Sequence, residues 1–162
     1  DKNWLQNKIT EALKDEFNIS LINTSDISYR ILPRPHFSII NSKISSAKFG
    51  IINIYINQNN FFNKNNLAID EVIIHEANFS LLKSDLKRLS ANTKNKFSTK
   101  KIKINNSNIF FKDNLSEITA IIKISNASFF FDEKRLFNLT DLKGQVFNIP
   151  FSLNYQHTLN SK

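Results

Sequence analysis

The sequence predicts a mainly β protein with one N-terminal helix, an α+β class whose strands form an antiparallel, twisted and curved sheet like a β-groove or open barrel. Three observations lead there. Apolar residues recur at helical spacing over 2–17; from Asn18 onward the period is two; and short Asn-rich turns separate the alternating runs, which implies a meander and not βαβ units.

In the helix, Trp4, Leu5, Ile9, Ala12, Leu13 and Phe17 form one apolar stripe. The opposite face mixes Lys2, Lys8 and Lys14 with Glu11, Asp15 and Glu16, whereas a helix lying on a membrane carries a mostly cationic polar face. The mixed signs point to a helix that packs on its own protein.

The strands follow in order. Ile27, Tyr29 and Ile31 alternate with Ser28 and Arg30, and then Leu32-Pro33-Arg34-Pro35 intervenes. Each proline fixes φ and removes a backbone donor, so one strand ends before Phe37 and Ile39 begin the next. Ile52, Ile54 and Ile56 share a face opposite Asn53 and Asn57; Leu67, Ile69 and Ile73 continue the pattern, followed by Phe79 and Leu81. Residues 84–91 read as a short helical turn with Ser84 as cap and Leu86 and Leu89 facing inward.

Farther on, Ile102 and Ile104 alternate with Lys101 and Lys103, and Ile118, Ala120, Ile122 and Ile124 make one long apolar face. Phe129, Phe130 and Phe131 fill both faces of a strand before the charged turn Asp132-Glu133-Lys134-Arg135. The cleanest alternation is Phe147, Ile149, Phe151, Leu153 and Tyr155, with Asn148, Ser152, Asn154 and Gln156 between them. Turns are expected at Asn59-Asn60, Asn65-Asn66, Asn105-Asn106 and Asp113-Asn114. No shift of composition divides the chain, so 1–162 is expected to be a single domain.

With 162 residues, 41% of them hydrophobic, the chain has the composition of a folded domain. Its net charge of +8 suggests an anionic partner. The lysines are dispersed, however, in a chain rich in residues with A/T-rich codons. Their densest group, Lys94, Lys96, Lys100, Lys101 and Lys103, encloses a single aromatic, Phe97, where base stacking along a strand needs several, which argues against nucleic acid. The absence of cysteine removes disulfides, thiolate ligands and a Cys nucleophile. The chain opens on Asp1 and not Met, so it is expected to be a portion of a longer protein or a processed form. It has no apolar run long enough to span a bilayer and no signal-peptide pattern, so a membrane anchor would lie outside it.

Catalytic chemistry finds no foothold. His36, His75 and His157 stand apart, without metal-ligand spacing; the two glycines are too few for a nucleophile elbow or a phosphate loop. The acid pairs Asp70-Glu71 and Asp132-Glu133 are adjacent, which on a strand sends them to opposite faces. The expectation is a protein that is no enzyme and holds no catalytic residue, metal or cofactor. What remains is the apolar strand faces. Either they close on one another as an ordinary sandwich core, or they line an open groove for an apolar ligand.

The order helix, strand, Pro33-Arg34-Pro35, strand with Ser38-Ile39-Ile40-Asn41-Ser42-Lys43-Ile44 resembles the N-terminal region of the AsmA family. The stretches Phe49 to Phe62 and Leu67 to Leu82 are similar to that family's paired strands, and Gly144-Gln145-Val146-Phe147-Asn148-Ile149-Pro150-Phe151-Ser152-Leu153 resembles its recurring Gly-x(5)-Pro-Phe-x-Leu strand. The resemblance implies a Gram-negative envelope protein, anchored in the inner membrane by an N-terminal helix that this chain lacks, with a β-rich body in the periplasm. Relatives named TamB and YhdP are similar to bridge-like carriers that conduct phospholipids between membranes.

On that basis the chain is expected to act without catalysis in outer-membrane biogenesis or phospholipid transport, with acyl chains lying on an apolar face. Ile52, Ile54, Ile56, Ile122, Ile124, Phe147, Ile149 and Phe151 are the candidate groove residues, chosen for their single-face alternation. The alternative is a structural or protein-binding β-sandwich module with no lipid ligand.

Overall fold

In a computed structural model, which describes residues 2–22, 27–57, 67–88 and 95–159, helix α1 (Lys2–Phe17) packs on one face of a nine-stranded sheet. The strands are β1 (Ile27–Arg30), β2 (His36–Ile44), β3 (Ala47–Ile56), β4 (Ile69–His75), β5 (Asn78–Leu82), β6 (Lys101–Lys112), β7 (Ile118–Asp132), β8 (Phe137–Val146) and β9 (Ile149–Thr158). This is the α+β class the periodicity predicts, and the helix has the predicted bounds. It ends in an αL cap. Asn18 takes φ 56°, its N–H donates to the Lys14 carbonyl, and the Ile19 N–H donates to the Leu13 carbonyl at 3.2 Å. Ile9 and Leu13 of the expected stripe are fully buried, while Trp4 falls off it and is 45% exposed.

The strand order is β1-β2-β3-β4-β6-β7-β8-β9, with β4 and β5 forming one interrupted strand between β3 and β6. The described strands therefore make one sheet and not the two facing layers of a sandwich. Nor is the sheet purely antiparallel: β4 and β5 both run parallel to β6, and every other pairing is antiparallel. Local alternation carries no strand direction. The parallel step needs a connection long enough to bring the chain back to the starting end, and residues 83–100 supply it.

The expected helical turn lies in that connection, as a 3₁₀ segment at Lys83–Asp85 followed by one turn through 88. Its details differ from expectation. Asp85 and not Ser84 satisfies the strand end, its Oδ2 accepting the Leu82 N–H, and Leu86 is 44% exposed instead of facing inward. Leu89, Ala91, Lys94, Phe62 and the turns expected at Asn59-Asn60 and Asn65-Asn66 lie outside the described residues.

A line of irregular residues crosses the sheet. Register is unbroken on both sides of Asn41, Gly50, Glu76, Asn106 and Ser125, which places these five opposite one another on β2, β3, the β4–β5 junction, β6 and β7. Asn41, Glu76 and Asn106 have φ of 52°, 56° and 47°. At this crease each strand carries one extra residue and bends. Residues three apart consequently share a face: Ile39 with Ser42, Phe49 with Ile52, Ile74 with Ala77, Ile104 with Ser107, and Ile124 with Ala127, all ten buried. The crease ends at β8, where the register shifts between Ile124 and Asn126. The turn expected at Asn105-Asn106 is in fact this crease inside β6.

A second irregularity, the bulge between Tyr55 and Ile56, leaves Asp70 without an opposite number on β3. It puts Ile69 on the same face as Val72 and Ile74, all three buried, and turns Ile73 to the other face, against the simple alternation of Ile69 with Ile73.

The proline corner separates β1 from β2 as expected and is tied down on the outer face. Arg34 Nη2 donates to Glu71 Oε2 at 2.6 Å, its guanidinium lies 4.2 Å from the Tyr55 ring centroid, and the Arg34 carbonyl sits 2.6 Å from His36 Nδ1. Lys103 Nζ reaches Glu71 Oε1 at 2.6 Å.

Candidate functional site: the inner apolar face

The inner face of the sheet is the one beneath α1. Register aligns Ile27, Ile39, Ile52, Ile74, Ile104, Ala127, Leu142 and Leu153 in one row, an apolar residue from each strand along the sheet. A neighbouring row runs Ala47, Phe79, Ile109, Ile122, Val146, Ile149. Between them lies Phe49, Ala77, Ser107, Ile124, Gly144, Phe151. Three of its six positions, Ala77, Ser107 and Gly144, are small; the Ser107 hydroxyl there accepts the Ala77 N–H at 2.9 Å.

Burial changes steadily along the first row. Ile39 and Ile52 are 0% exposed, Ile74 3%, Ile104 9% and Ala127 4%, Leu142 is half-buried, and Leu153 is 46% exposed. The reason is the placement of α1. Ile9 and Leu13 bury themselves in the cluster of Phe37, Ile39, Ile52, Ile54 and Val72, with Ile19 and Leu21 of the following segment packed alongside, and the cluster thins out at β8. The face is therefore closed over β2 to β6 and open over β8 and β9.

The eight sequence candidates divide along that gradient. Ile52 and Ile54 are sealed at 0% exposure and Ile56 at 5%; with Ile124 they are core and present no surface to a ligand. Ile122 and Phe151 are half-buried and Ile149 is 65% exposed, all three on the inner face of the open region. Phe147 does not belong with them. It and Asn148 form the two-residue turn between β8 and β9, with φ of 50° and 62°, so the alternation assumed to begin at Phe147 begins at Ile149. Phe147 instead lines a shallow hollow with Ile118, Ile121, Lys123 and Gln145.

Periodicity did not single out the recess at the end of α1. A cavity of about 510 Å³ opens between Phe17, Phe97, Ile102 and Phe129, with Asp15, Glu16, Lys96 and Lys100 at its rim. The buried Asn138 holds one wall, its Oδ1 accepting the Phe97 N–H at 2.8 Å and its Nδ2 donating to the Asn95 carbonyl at 2.6 Å. Charged and apolar side chains line it in equal number, four of each. Cross-strand pairing of Phe129 with Thr140 and of Thr140 with Tyr155 carries its floor toward the open strands.

On the outer face, burial on its own would raise the Glu71 carboxyl, but hydrogen bonds and charge from Lys103 and Arg34 outweigh it and hold the group below its usual value. Glu71 is thus held as a carboxylate shared by two cations, an arrangement that ties the proline corner to the sheet. Among the described residues no three His, Asp or Glu side chains gather as metal ligands, and no helix is long and apolar enough to cross a membrane. Compared with known proteins, the chain matches no family model and no curated protein.

Proposed function

We propose that this chain is a lipid-binding, membrane-proximal part of an AsmA-like envelope protein, working without catalysis on the periplasmic side of the inner membrane in phospholipid transport or outer-membrane biogenesis. The observation that carries the reading is the inner apolar face, closed beneath α1 and open from Ile122 through Ile149, Phe151 and Leu153. An exposed apolar strip continuous with a core suits acyl chains, which gain free energy by leaving water without needing directional partners. The Pro33-Arg34-Pro35 corner and the Gly144–Leu153 segment supply the family likeness.

The test is direct. The purified chain is incubated with vesicles of phosphatidylethanolamine and phosphatidylglycerol, re-isolated, and its bound lipid identified by mass spectrometry. Photo-reactive residues at Ile149, Phe151 and the sealed Ile54 report the place. Lipid crosslinked at Ile149 and Phe151 but not at Ile54 supports the reading, and a chain recovered without lipid overturns it. A second reading, a protein-binding module with no lipid, is favoured by the outer edge of β9, against which no described strand lies.

A further inference from the structure

We infer that the end of the sheet formed by the turns after β5, β6 and β8 is a docking surface for a phospholipid bilayer that contains anionic lipid. The strands β5, β6, β7 and β8 are neighbours, so the tips of these turns stand side by side over about 15 Å. They carry exposed apolar side chains: Leu82 and Leu86 where β5 ends, Leu115 and Ile118 where β6 returns as β7, and Phe147 where β8 returns as β9. Ile118 and Phe147 line one shallow hollow together with Ile121. All of these residues belong to internal turns of the chain or the strand ends beside them.

Two of them stand where folding alone gives no reason for an apolar side chain. Phe147 takes φ 50° at the first position of its two-residue turn, the left-handed region that suits Asn, Asp or Gly, and its ring is 73% exposed. Leu115 is 81% exposed at the tip of a turn held by Asp113, whose Oδ1 accepts the N–H of Leu115 at 2.8 Å and of Glu117 at 3.0 Å. A backbone unfavourable to Phe and a braced tip that lifts Leu into water give neither side chain a buried place in the free chain. Features of that kind mark a contact with something else.

The cations identify the occupant. Behind the tips, register aligns Lys43, Lys48, Asn78, Asn108, Lys123 and Gln145 across the outer face, a row with three lysines and no acid. Lys112 stands level with Leu82 and Ile118, and Lys83 follows Leu82. Asp85 and Asp113 accept backbone N–H groups of their own turns; the exposed acids nearby are Glu117 and, on the crease, Glu76. Apolar side chains at convex tips with lysines beside and behind them match a bilayer surface, where phosphates overlie acyl chains. A protein partner is met by a packed, shape-matched patch, and separate protruding turns do not make one. Ile122 and Ile149, where the open inner strip begins, lie at this same end, so docking brings that strip to the bilayer. The docking surface does not rest on lipid uptake: a chain that binds vesicles but carries no lipid away keeps it and loses only the groove.

Vesicle flotation of the intact chain tests it, comparing vesicles of phosphatidylethanolamine and phosphatidylglycerol with vesicles of phosphatidylcholine, and far-UV circular dichroism is the folding control. The chain is expected to float with the anionic vesicles, and less so as salt is raised. Lys112→Gln and Lys123→Gln are each expected to weaken binding about fivefold, whereas Lys134→Gln and Arg135→Gln, in the turn at the opposite end of the sheet, are expected to change it less than about twofold. Leu115→Asp combined with Phe147→Asp is expected to abolish flotation, and Asp suits the backbone of the β8–β9 turn, so the fold is kept. Because Trp4 is the sole tryptophan, Trp4→Phe with Phe147→Trp places one fluorophore at the tip, which brominated phospholipid is expected to quench. Trp4→Phe with Leu136→Trp, at the opposite end, is expected to stay unquenched. Absence of flotation with anionic vesicles overturns the inference, as does equal flotation with phosphatidylcholine, an equal loss from Lys123→Gln and Arg135→Gln, or equal quenching of Phe147→Trp and Leu136→Trp.

Discussion

Gly144 lies so close to Lys123 of the neighbouring strand that a Cβ on it would stand 2.3 Å from the Lys123 carbonyl oxygen. The contact arises where the crease ends: Ser125 is the extra residue on β7, and the shift brings the β7 backbone over β8. Gly144→Ala is expected to destabilise the protein by about 1–3 kcal/mol, because backbone on both sides must move. At Gly50, the other glycine, the nearest atom to an added Cβ is the Glu76 Cβ at 2.9 Å, a side chain on the same crease. Gly50→Ala is expected to cost less. Urea denaturation of both variants checks the order, and equal midpoints for Gly144→Ala and wild type would contradict the close approach.

The crease itself makes a second prediction. Glu76 holds φ of 56°, a region that side chains enter at a cost of about 1–2 kcal/mol and glycine enters freely. Glu76→Gly is expected to leave stability within about 1 kcal/mol of wild type, since relieved strain offsets the greater freedom of the unfolded chain. Glu76→Val, β-branched and unable to adopt this backbone easily, is expected to lose about 1–3 kcal/mol. Thermal melts of the two variants side by side separate them.

These two positions also show what a single sequence reveals. The helix over 2–17 and the strand break at Pro33–Pro35 were legible because they depend on local physics, a 3.6-residue period and a fixed φ. The crease was not, since φ at Asn41, Glu76 and Asn106 is imposed by neighbours on other strands. Its trace in the sequence is a spacing of three with a small residue on the far side, as in Ile39–Ser42, Ile74–Ala77 and Ile104–Ser107, and that reads as a break in alternation. The closed and open parts of the inner face were likewise indistinguishable. Ile52-Asn53-Ile54 and Phe151-Ser152-Leu153 alternate alike, and only the placement of α1 and the position of β9 at the sheet edge separate core from surface.

The outer-face ion cluster predicts a dependence on pH. Glu71 is held below its ordinary value in the folded protein by Lys103 and Arg34, which prevail over the opposing effect of burial. A carboxyl depressed on folding contributes stability that is complete above its unfolded pKa, about 4.3, and is lost as pH falls through its folded value. Glu71→Gln is expected to cost about 0.5–1.5 kcal/mol at pH 7, a modest figure because Arg34 is 57% exposed and Lys103 40%. The gap between variant and wild type should close as the pH is lowered below that range. Urea midpoints at neutral and acid pH measure it, and a gap that widens in acid would reverse the assignment.

The inner face predicts a separation of stability from binding. Ile54 is sealed beneath α1 and Ile149 is 65% exposed on the same face, so truncating them tests two regions of one surface. Ile54→Ala is expected to lose about 2–4 kcal/mol through the cavity it leaves. Ile149→Ala, at an exposed site, is expected to change stability by less than about 0.5 kcal/mol. If the open strip carries lipid, Ile149→Asp lowers the lipid recovered from phospholipid vesicles while the urea midpoint stays near that of wild type, because a charge placed there must be buried against acyl chains only in the loaded protein. Loss of lipid accompanied by an equal loss of stability would make Ile149 a structural residue. Full retention of lipid by Ile149→Asp would move the acyl chains off this strip.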